Sequence, residues 1–314
     1  MQIHYNLDNF KALNPVVTIG TFDGVHLGHR EVITELKQLS ALSDGESVVF
    51  TFEPHPRIII APQEDSLRLL TTKNEKIHLM EQMGIDHLVI YPFTEAFSKL
   101  PYNEFVEKIL VSDMNISSLV VGYDHRFGQG RKGDFNSLEA LSQVLNFKVE
   151  QLSQLVVNNK VVSSTKIRAA LADGDIGKAN HFLGYRYPLS GKVVEGNRLG
   201  QTIGFPTANI DTHDCHKLVP GDGVYAVIVQ SGGAFYKGML NIGMRPTVND
   251  NADHKTIEVN IFNFNKDIYN TDITVLFIEK IRDEKKFEGI AFLKAQLEID
   301  KIHSLKILTN EFTM

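Results

Sequence analysis

The sequence predicts two domains, an α/β domain with a parallel sheet followed by an antiparallel β-barrel or sandwich that carries a terminal helix. In the first half, apolar strand-like runs alternate with helical patterns. From about Tyr187 onward, strands follow one another without long helices between them. A chain of 314 residues is also long for a single core. We place the boundary after the last helical pattern of the first half, which gives domains at 1–185 and 186–314.

The first half alternates at a spacing typical of a parallel sheet with helices on both faces. The predicted strands are Val16–Ile19, 48–52, 88–91, 119–122 and a more polar run at 147–152. The predicted helices between them are 31–39, 74–83, 102–111 and 137–145. Because ligands bind at the carboxyl ends of strands in such sheets, the segment after the first strand is the first candidate site.

The second half has turn residues at 220–223, 231–233 and 263–267 between its strands. The predicted strands are 189–195, 224–230, 235–242, 256–264 and 273–281. One helix is predicted at 287–298, with Ile290, Leu293 and Leu297 on its apolar face. This pattern indicates a small antiparallel barrel or sandwich.

Composition and charge exclude several classes of protein. The net charge is −6, so there is no basic surplus for binding nucleic acid. The single cysteine, Cys215, excludes an intrachain disulfide and fits a reducing compartment. Neither a signal-peptide pattern nor an apolar run long enough to span a membrane is present. We expect a cytoplasmic protein, a monomer or weak homo-oligomer, without nucleic-acid or membrane partners.

Residues 20–29, Gly-Thr-Phe-Asp-Gly-Val-His-Leu-Gly-His, join the first predicted strand to the first helix. Strand, glycine-bearing turn and helix form a phosphate-binding arrangement, because free N–H groups and the positive end of the helix dipole meet at the turn. His26 and His29 are spaced i, i+3 on one side of the helix start, with no side chain between them at Gly28. The segment predicts binding of a nucleotide polyphosphate; the alternative is a pair of solvent-exposed histidines. The predicted phosphate-binding residues beside the imidazoles are Gly20, Phe22, Asp23 and Gly28.

Two further segments of the first half are candidates for ligand contact. Residues 163–168, Ser-Ser-Thr-Lys-Ile-Arg, begin a helix with two cations in its first turns, where the dipole makes cations unfavourable unless an anion is bound. We predict a phosphate clamp there, with an ordinary N-cap as the alternative. Residues 122–134 follow a buried-looking strand and contain four glycines and three cations. We predict a ligand loop there, with a solvated surface loop as the alternative.

In the second half, residues 196–209 combine glycines with polar oxygens. Gly196, Gly200 and Gly204 are spaced by four, which lets the backbone wrap a triphosphate. Thr207 and Asn209 offer the hard oxygen ligands that Mg²⁺ accepts beside phosphates and water. The alternative is a glycine-rich hairpin.

Glu258 lies in a predicted strand in which Ile257, Val259 and Ile261 alternate onto the opposite face. The pattern alone indicates a solvent-facing strand residue. If residues 196–209 bind ATP, Glu258 becomes the natural general base for a substrate hydroxyl.

Other common sites are excluded by their motifs. Residues 213–216, His-Asp-Cys-His, are too tightly spaced for a four-ligand zinc site, and we interpret them as a loop. The chain has neither a Gly-x-x-x-x-Gly-Lys-Ser/Thr P-loop nor a Gly-x-Ser-x-Gly nucleophile elbow. Any kinase chemistry in this chain would therefore follow a design other than the P-loop.

With these motifs in order along nearly the whole chain, the sequence resembles the bacterial bifunctional riboflavin kinase/FMN adenylyltransferases, or FAD synthetases. The first half is similar to the Rossmann-like nucleotidyltransferases with the His-x-Gly-His signature. The matching blocks there are 20–29, 51–56, 122–134 and 163–168. The second half is similar to the riboflavin kinase barrel, on blocks 191–209, 223–226, 241–248, 256–264 and 281–287.

The resemblance implies two successive reactions. ATP with Mg²⁺ phosphorylates riboflavin at its ribityl 5′-hydroxyl to FMN, with Glu258 taking the proton and Thr207 and Asn209 positioning Mg²⁺ and the phosphates. FMN then attacks the α-phosphorus of a second ATP, pyrophosphate leaves and FAD forms. The remaining implied roles are phosphate binding and charge stabilisation by His26 and His29, a phosphate clamp of Ser164, Thr165 and Arg168, and flavin contacts of Asp124, Phe127, Arg282 and Glu284.

Four residues depart from the pattern usual in that family and bear on nucleotide affinity at the kinase site. They are Gln201 for arginine, Asn260 for histidine, Asn263 for aspartate and Asn270 for glycine. Two other functions compete with this interpretation. One is a flavin- or nucleotide-binding regulator without catalysis. The other is a single-activity adenylyltransferase for a different acceptor, such as a pantetheine or nicotinate nucleotide, with the barrel as a binding module.

Overall fold

The computed structural model describes residues 1–61, 67–123, 126–153, 156–157, 160–196, 199–212, 214–244 and 255–309. The chain forms two compact units, Met1–Ser164 and Thr165–Met314. Each unit has its own sheet, parallel in the first and antiparallel in the second. The class of fold predicted for each half is confirmed, and the second half is a closed barrel rather than a sandwich.

The first unit is built on a six-stranded sheet in which every pair of neighbours is parallel. Its strands are β1 (Gln2–His4), β2 (Val16–Ile19), β3 (Ser47–Glu53), β4 (His87–Pro92), β5 (Ser118–Val121) and β6 (Lys148–Gln151), in the spatial order β1-β4-β3-β2-β5-β6. All four residues of β2 are buried, which explains why the central strands are rich in apolar and β-branched residues without polar alternation. The edge strand β1 was not predicted, because three largely exposed residues leave no hydrophobic pattern.

Helices cover the sheet of the first unit. They are α1 (Leu27–Leu42), α2 (Pro56–Ile60), α3 (Lys73–Met83), α4 (Glu95–Ser98), α5 (Tyr102–Glu104) and α6 (Phe135–Leu145), with a 3₁₀ turn at Gln129–Arg131. Helix α3 begins with a reciprocal capping box between Thr72 and Glu75. The segment after α5 is a π-helix, Phe105–Asp113, although the sequence predicts an α-helix at 102–111. Its buried face repeats at helical intervals, and apolar periodicity does not reveal the wider hydrogen-bond pattern.

The second unit holds a closed six-stranded barrel. Two short strands, β7 (Val156–Val157) and β8 (Lys160–Val161), precede it in the chain. The barrel strands are β9 (Pro188–Val194), β10 (Ala208–Asp211), β11 (Gly223–Ser231), β12 (Ala234–Met244), β13 (Lys255–Ile261) and β14 (Asp272–Arg282), in the order β10-β13-β12-β11-β14-β9. Strand β10 was not predicted, because its four residues lie in a glycine-rich segment and alternate with polar side chains. This strand closes the barrel by pairing with both β9 and β13.

Two helices at the start of the second unit pack against the barrel. They are α7 (Ser164–Ala172) and α8 (Ile176–Leu183). Asn180 Nδ2 of α8 donates to the Phe277 carbonyl of β14 at 2.9 Å, and Gly221 N donates to the Leu171 carbonyl of α7 at 2.9 Å. The compact units divide at 164/165, and the domain boundary at 185/186 stays a prediction.

Two further helices of the second unit are α9 (Leu199–Thr202) and α10 (Ile290–Ile307). Helix α10 begins after Gly289 and runs past the predicted end at 298. Leu293 and Leu297 pack against a cluster of Ile203, Phe205, Met239 and Phe262, as predicted for its apolar face. Ile290 was assigned to the same face but is 58% exposed, because it occupies the first residue of the helix, outside that contact.

Candidate active sites

The turn between β2 and α1 is held by hydrogen bonds within the protein. Gly20 N donates to the Phe50 carbonyl at 3.0 Å. Gly24 N donates to Thr71 Oγ1 at 3.1 Å. The expectation of free N–H groups at this turn is wrong for these two glycines, because strand and loop oxygens accept their hydrogens. At the first turn of α1 one N–H is used as well, since His29 N donates to His26 Nδ1. Binding of an anion by the remaining N–H groups of that turn stays a prediction.

His26 and His29 stack on each other at the start of α1. Their ring centroids are 3.7 Å apart with planes inclined by 15°. His26 caps the helix, and its Nδ1 accepts a hydrogen bond from His29 N at 3.3 Å. Since Nδ1 is an acceptor, the ring hydrogen of neutral His26 lies on Nε2. The side chain of His26 is buried, so the alternative of two solvent-exposed histidines does not hold.

The charge of His29 is set by its surroundings. Burial lowers the pKa of His29 well below its ordinary value, and the neighbouring His26 and Lys76 lower it further. Its Nδ1 is buried and has no hydrogen-bond partner among the described residues. His29 is therefore neutral at neutral pH. Because the unfolded chain binds this proton more tightly, the residue lowers stability as the pH falls below the ordinary histidine pKa. A bound phosphate would raise this pKa again.

Small residues and an aromatic ring hold the two imidazoles in place. Phe22 is buried and packs edge-to-face on His29, with centroids 5.2 Å apart. A Cβ at Gly20 would lie 3.1 Å from the Phe22 ring, and a Cβ at Gly28 would lie 3.3 Å from His26 Nδ1. Both glycines therefore make room for the side chains of the site, and phosphate contact by Gly20, Phe22 and Gly28 stays a prediction.

Asp23 connects the turn to the start of α3. Its Oδ1 accepts hydrogen bonds from Leu70 N at 2.9 Å and Thr71 N at 3.1 Å, and its side chain is buried. Lys76, one turn into α3, is buried as well, and its pKa is lowered by burial against opposing effects of Asp23 and Glu53. These contacts favour a structural role for the Asp23 carboxylate; its phosphate contact stays a prediction.

Replacing Asp23 with alanine tests this role. The Leu70 and Thr71 amides would lose their acceptor, and we expect a loss of about 3 kcal/mol in stability of the first unit. Hydrogen exchange of the full chain should show deprotection around residues 70–76, whereas exposed Glu31→Ala should leave it unchanged. Unchanged protection combined with lost ATP binding would instead indicate direct contact of Asp23 with phosphate.

One residue of the predicted phosphate clamp contacts the turn between β2 and α1. Ser164 Oγ donates to the Asp23 carbonyl oxygen at 3.1 Å, so Ser164 itself, the last residue of the first unit, lies beside the turn. Thr165 and Arg168 belong to the second compact unit. Their part in the clamp stays a prediction.

The glycine-rich loop at 122–134 is only partly available for a ligand. Phe127 is buried in the core of the first unit, 5.9 Å from the ring of Phe105. The backbones of Phe127 and Gly133 exchange hydrogen bonds of 3.1 and 3.0 Å. Asp124 lies outside the described residues. Flavin contact by Asp124 and Phe127 therefore stays a prediction, and the Phe127 ring acts mainly in packing.

In the second unit, Glu258 lines a cavity of about 380 Å³. Thr207 also lines the cavity, and its Oγ1 donates to Glu258 Oε2 at 3.2 Å. Asn209 lies opposite Glu258 in the pairing of β10 with β13. Thr207 and Glu258, which the sequence predicts as parts of separate motifs about fifty positions apart, are thus in contact. The alternative that Glu258 is a solvent-facing surface residue does not hold, because its side chain lines the cavity.

Asn260 holds the segment that carries Thr207. Its side chain lies on the same side of β13 as Glu258 and is buried, and its Nδ2 donates to the Pro206 carbonyl at 2.6 Å. The strand therefore fixes residues 206–207 through two side chains, Glu258 and Asn260.

The donor set around Glu258 fits a magnesium–nucleotide complex better than an all-protein metal site. Among the described residues, no group of three or more His, Cys, Asp or Glu side chains could hold a metal ion. The hydroxyl of Thr207 and the amide oxygen of Asn209 are hard donors beside one carboxylate, and Mg²⁺ accepts such donors when phosphates and water complete its shell. His213 lies outside the described residues, and Cys215 is exposed and free.

The glycines of segment 196–209 make backbone contacts. A Cβ at Gly196 would overlap the amide of Asn209, and one at Gly200 would overlap the Phe205 carbonyl. Gly204 has φ of 86°, a conformation that favours glycine. Close packing therefore explains Gly196 and Gly200, and the positive φ explains Gly204, beside which an added Cβ would meet open space. Binding of a triphosphate by these glycines stays a prediction.

Comparisons with known proteins match each half of the chain to a family. The family described as FAD synthetase matches residues 10–166, and the family described as riboflavin kinase matches residues 183–308. The bifunctional riboflavin kinase/FMN adenylyltransferase of Bacillus subtilis is 36% identical over 94% of this chain and 93% of its own length. The protein of the same name from Haemophilus influenzae is 38% identical over 90% of this chain and 91% of its own length.

The chain belongs to the bifunctional riboflavin kinase/FMN adenylyltransferase family.

A solved structure extends the family likeness to the whole fold. It is described as a macrolide-efflux protein from Streptococcus pneumoniae, is 31% identical, and aligns with a TM-score of 0.87 over 96% of this chain and 97% of its own. Within the described ranges of the present chain, no helix has both the length and the apolarity needed to cross a bilayer.

Arg282 and Glu284, the residues that the family resemblance assigns to flavin contact, both line the kinase cavity. Arg282 directs its guanidinium away to Asp300 of α10, with Nη2 to Oδ2 at 2.8 Å. Glu284 packs against Gly243 of β12, where an added Cβ would overlap its carboxylate. Direct flavin contact by either side chain stays a prediction.

Two of the departures from the family pattern have a conformational explanation. Asn263 and Asn270 have φ of 55° and 62°, the left-handed conformation that glycine and asparagine tolerate best. Asn270 therefore substitutes for a glycine at little cost. Asn260 keeps a hydrogen-bonding function through Pro206.

Three residues of these sites escape the sequence analysis: Lys76, Asn241 and Asp300. The spacing of Lys76 could have indicated its burial, because Lys76, Leu79 and Met80 lie on the same face of α3 and all three are buried. The spacing of Asp300 could likewise have indicated its burial, because Asp300 follows Leu293 and Leu297 on the same face of α10. Asn241 lines the kinase cavity from β12, and its strand pattern does not distinguish it from a surface residue.

Proposed function

We propose that this chain makes FAD from riboflavin in two ATP-dependent steps, phosphorylation to FMN in the barrel and adenylylation of FMN in the parallel-sheet unit. The observation that carries the proposal is that each family match coincides with a built site. The first is the stacked histidine pair at the start of α1. The second is the cavity in which Thr207 and Glu258 meet.

In the kinase step, the 5′-hydroxyl of riboflavin attacks the γ-phosphorus of ATP, and ADP leaves. Glu258 accepts the hydroxyl proton, which makes the oxygen a better nucleophile as the new bond forms. Thr207 donates to the same carboxylate and so orients it. Thr207 and Asn209 are the residues that would hold Mg²⁺, which supplies charge neutralisation of the phosphates when bound.

In the adenylylation step, a phosphate oxygen of FMN attacks the α-phosphorus of ATP, and pyrophosphate leaves. This nucleophile is already ionised, so the protein need not remove a proton. Catalysis then depends on positioning and on stabilising the charge that develops on the phosphates. The neutral His29 ring, the Nε2–H of His26 and the N-terminus of α1 supply that stabilisation, and Ser164, Thr165 and Arg168 form the clamp.

The proposal is tested by incubating the full chain with riboflavin, ATP and Mg²⁺ and separating the flavins by chromatography. FMN should rise first and FAD should follow. Formation of FAD from supplied FMN, but none from riboflavin, would indicate a single-activity adenylyltransferase. No conversion of either flavin would indicate a binding protein.

The magnesium assignment is tested with Thr207→Val, which removes the hydroxyl and keeps the side-chain shape. We expect the Mg²⁺ concentration for half-maximal riboflavin phosphorylation to rise about 10-fold, while Thr207→Ser stays near the unsubstituted chain. Adenylylation of supplied FMN by the same variant is the internal control. An unchanged Mg²⁺ requirement would exclude Thr207 as a ligand.

The proposed setting of these reactions is the cytoplasm, where ATP is available and the single Cys215 stays reduced. We propose a monomer or weak homo-oligomer without a nucleic-acid partner, in line with the net charge of −6. The activity boundary is proposed near 185/186, since the riboflavin kinase family match begins at residue 183.

A further inference from the structure

A buried ion pair joins the end of β14 to the middle of α10. Arg282 Nε lies 3.0 Å and 3.1 Å from the two oxygens of Asp300, and Nη2 lies 2.8 Å from Oδ2. Gln296 Nε2 donates to Asp300 Oδ1 at 2.9 Å. Asp300 is fully buried, so its charge depends on these partners for compensation. We call Arg282, Asp300 and Gln296 the clasp.

The clasp holds two walls of the kinase cavity at a set distance. Arg282 and the loop after it, with Glu284 and Phe287, line one side. Leu293 and Leu297 of α10 line another, and Asp300 follows them on the same face of the helix. The clasp itself meets the cavity only through Arg282, because Asp300 and Gln296 do not line it.

The guanidinium of Arg282 is engaged in this pair. Its Nε and Nη2 bind the Asp300 carboxylate, and its Nη1 donates to the Asp283 carbonyl at 2.9 Å. Turning it toward a ligand would leave the Asp300 carboxylate buried without its cation, which is costly. The arginine is therefore better suited to positioning the loop than to binding flavin through its charge.

We propose that Asp300, acting through Arg282, is a positioning residue that sets the spacing between the 283–287 loop and α10 and thereby determines the affinity of the kinase site for riboflavin. The apolar side chains of this cavity suit a flat aromatic ligand, and the fit of such a ligand depends on the distance between the walls. The inference rests on the proposed kinase function.

The test is Asp300→Asn in the full chain, which keeps the shape of the side chain and removes its charge. We expect KM for riboflavin to rise about 10-fold, with kcat and KM for ATP changed less than about 3-fold. Riboflavin binding without ATP, followed by flavin fluorescence, should weaken to the same extent. Adenylylation of supplied FMN should be unchanged.

The matched control is Glu298→Gln on the same helix. Glu298 is exposed on α10, two residues before Asp300, and does not line the cavity, so this variant should keep the unsubstituted KM for riboflavin. A second variant, Gln296→Met, removes only the amide donor to Asp300 and should raise that KM about 2-fold. It serves as the test if Asp300→Asn does not fold.

The outcomes separate the inference from the function on which it rests. If the unsubstituted chain makes no FMN, the proposed function is wrong. If that chain is active and the folded Asp300→Asn or Gln296→Met variant shows a lowered Tm with an unchanged KM for riboflavin, the clasp is only a stabilising pair and the inference is wrong.

Discussion

Glu258→Gln should abolish FMN formation while leaving FAD formation from supplied FMN intact. The amide cannot accept the hydroxyl proton, and loss of a general base lowers kcat by about 10²- to 10⁴-fold. The glutamine oxygen can still accept the hydrogen bond that Thr207 Oγ1 donates to Oε2, so the local geometry should survive. The measurement is the rate of FMN appearance from riboflavin at saturating ATP and Mg²⁺.

The matched control for this variant is Glu279→Gln, an exposed carboxylate on strand β14 of the same barrel. It should phosphorylate riboflavin at the unsubstituted rate. If Glu258→Gln kept more than about a tenth of the kcat, proton transfer to this carboxylate would be excluded as a major contribution.

His29→Ala should have the opposite effect, with FMN accumulating and FAD missing. The substitution removes the His29 ring, whose centroid lies 3.7 Å from that of His26. It thereby removes the hydrogen bond that this ring would donate to the polyphosphate. Removing one donor aimed at developing charge lowers kcat by about 10²- to 10³-fold. The measurement is FAD formation from FMN and ATP, with riboflavin phosphorylation by the same preparation as the internal standard.

His78→Ala is the control for this variant, because His78 is exposed on α3 of the same unit. It should form FAD at the unsubstituted rate. Loss of both activities in a folded His29→Ala protein would contradict two independent sites, and full FAD formation would remove His29 from the adenylylation step.

The elements that the sequence predicts well are those with a strong local pattern. Strand β2 has the predicted bounds because it is buried along its whole length and consists entirely of β-branched residues. Strand β10 escapes prediction because four residues, half of them polar, carry no such run. Its importance comes from closing the barrel between β9 and β13, which no local pattern reveals.

The two sites also differ in how far a local sequence pattern predicts them. His26 and His29 are three residues apart on one helix, so helical geometry alone predicts that they lie together. The hydrogen bond of Thr207 with Glu258 spans about fifty residues and exists only because β10 and β13 are neighbours in the barrel. The sequence links these two only through the family resemblance.

By itself, the sequence determined the two classes of sheet, the closeness of His26 and His29 on one helix and, through resemblance, the family. Periodicity, turn residues and short motif spacing reflect interactions between residues that are close in sequence. The sequence alone therefore predicts the features that depend on such local interactions. Only the tertiary structure decided that His29 Nδ1 is buried and the pKa of His29 lowered, that the Asp23 carboxylate accepts hydrogen bonds from backbone amides, and that Arg282 pairs with Asp300. Burial and charge pairing arise from segments distant in sequence, and packing alone brings those segments together.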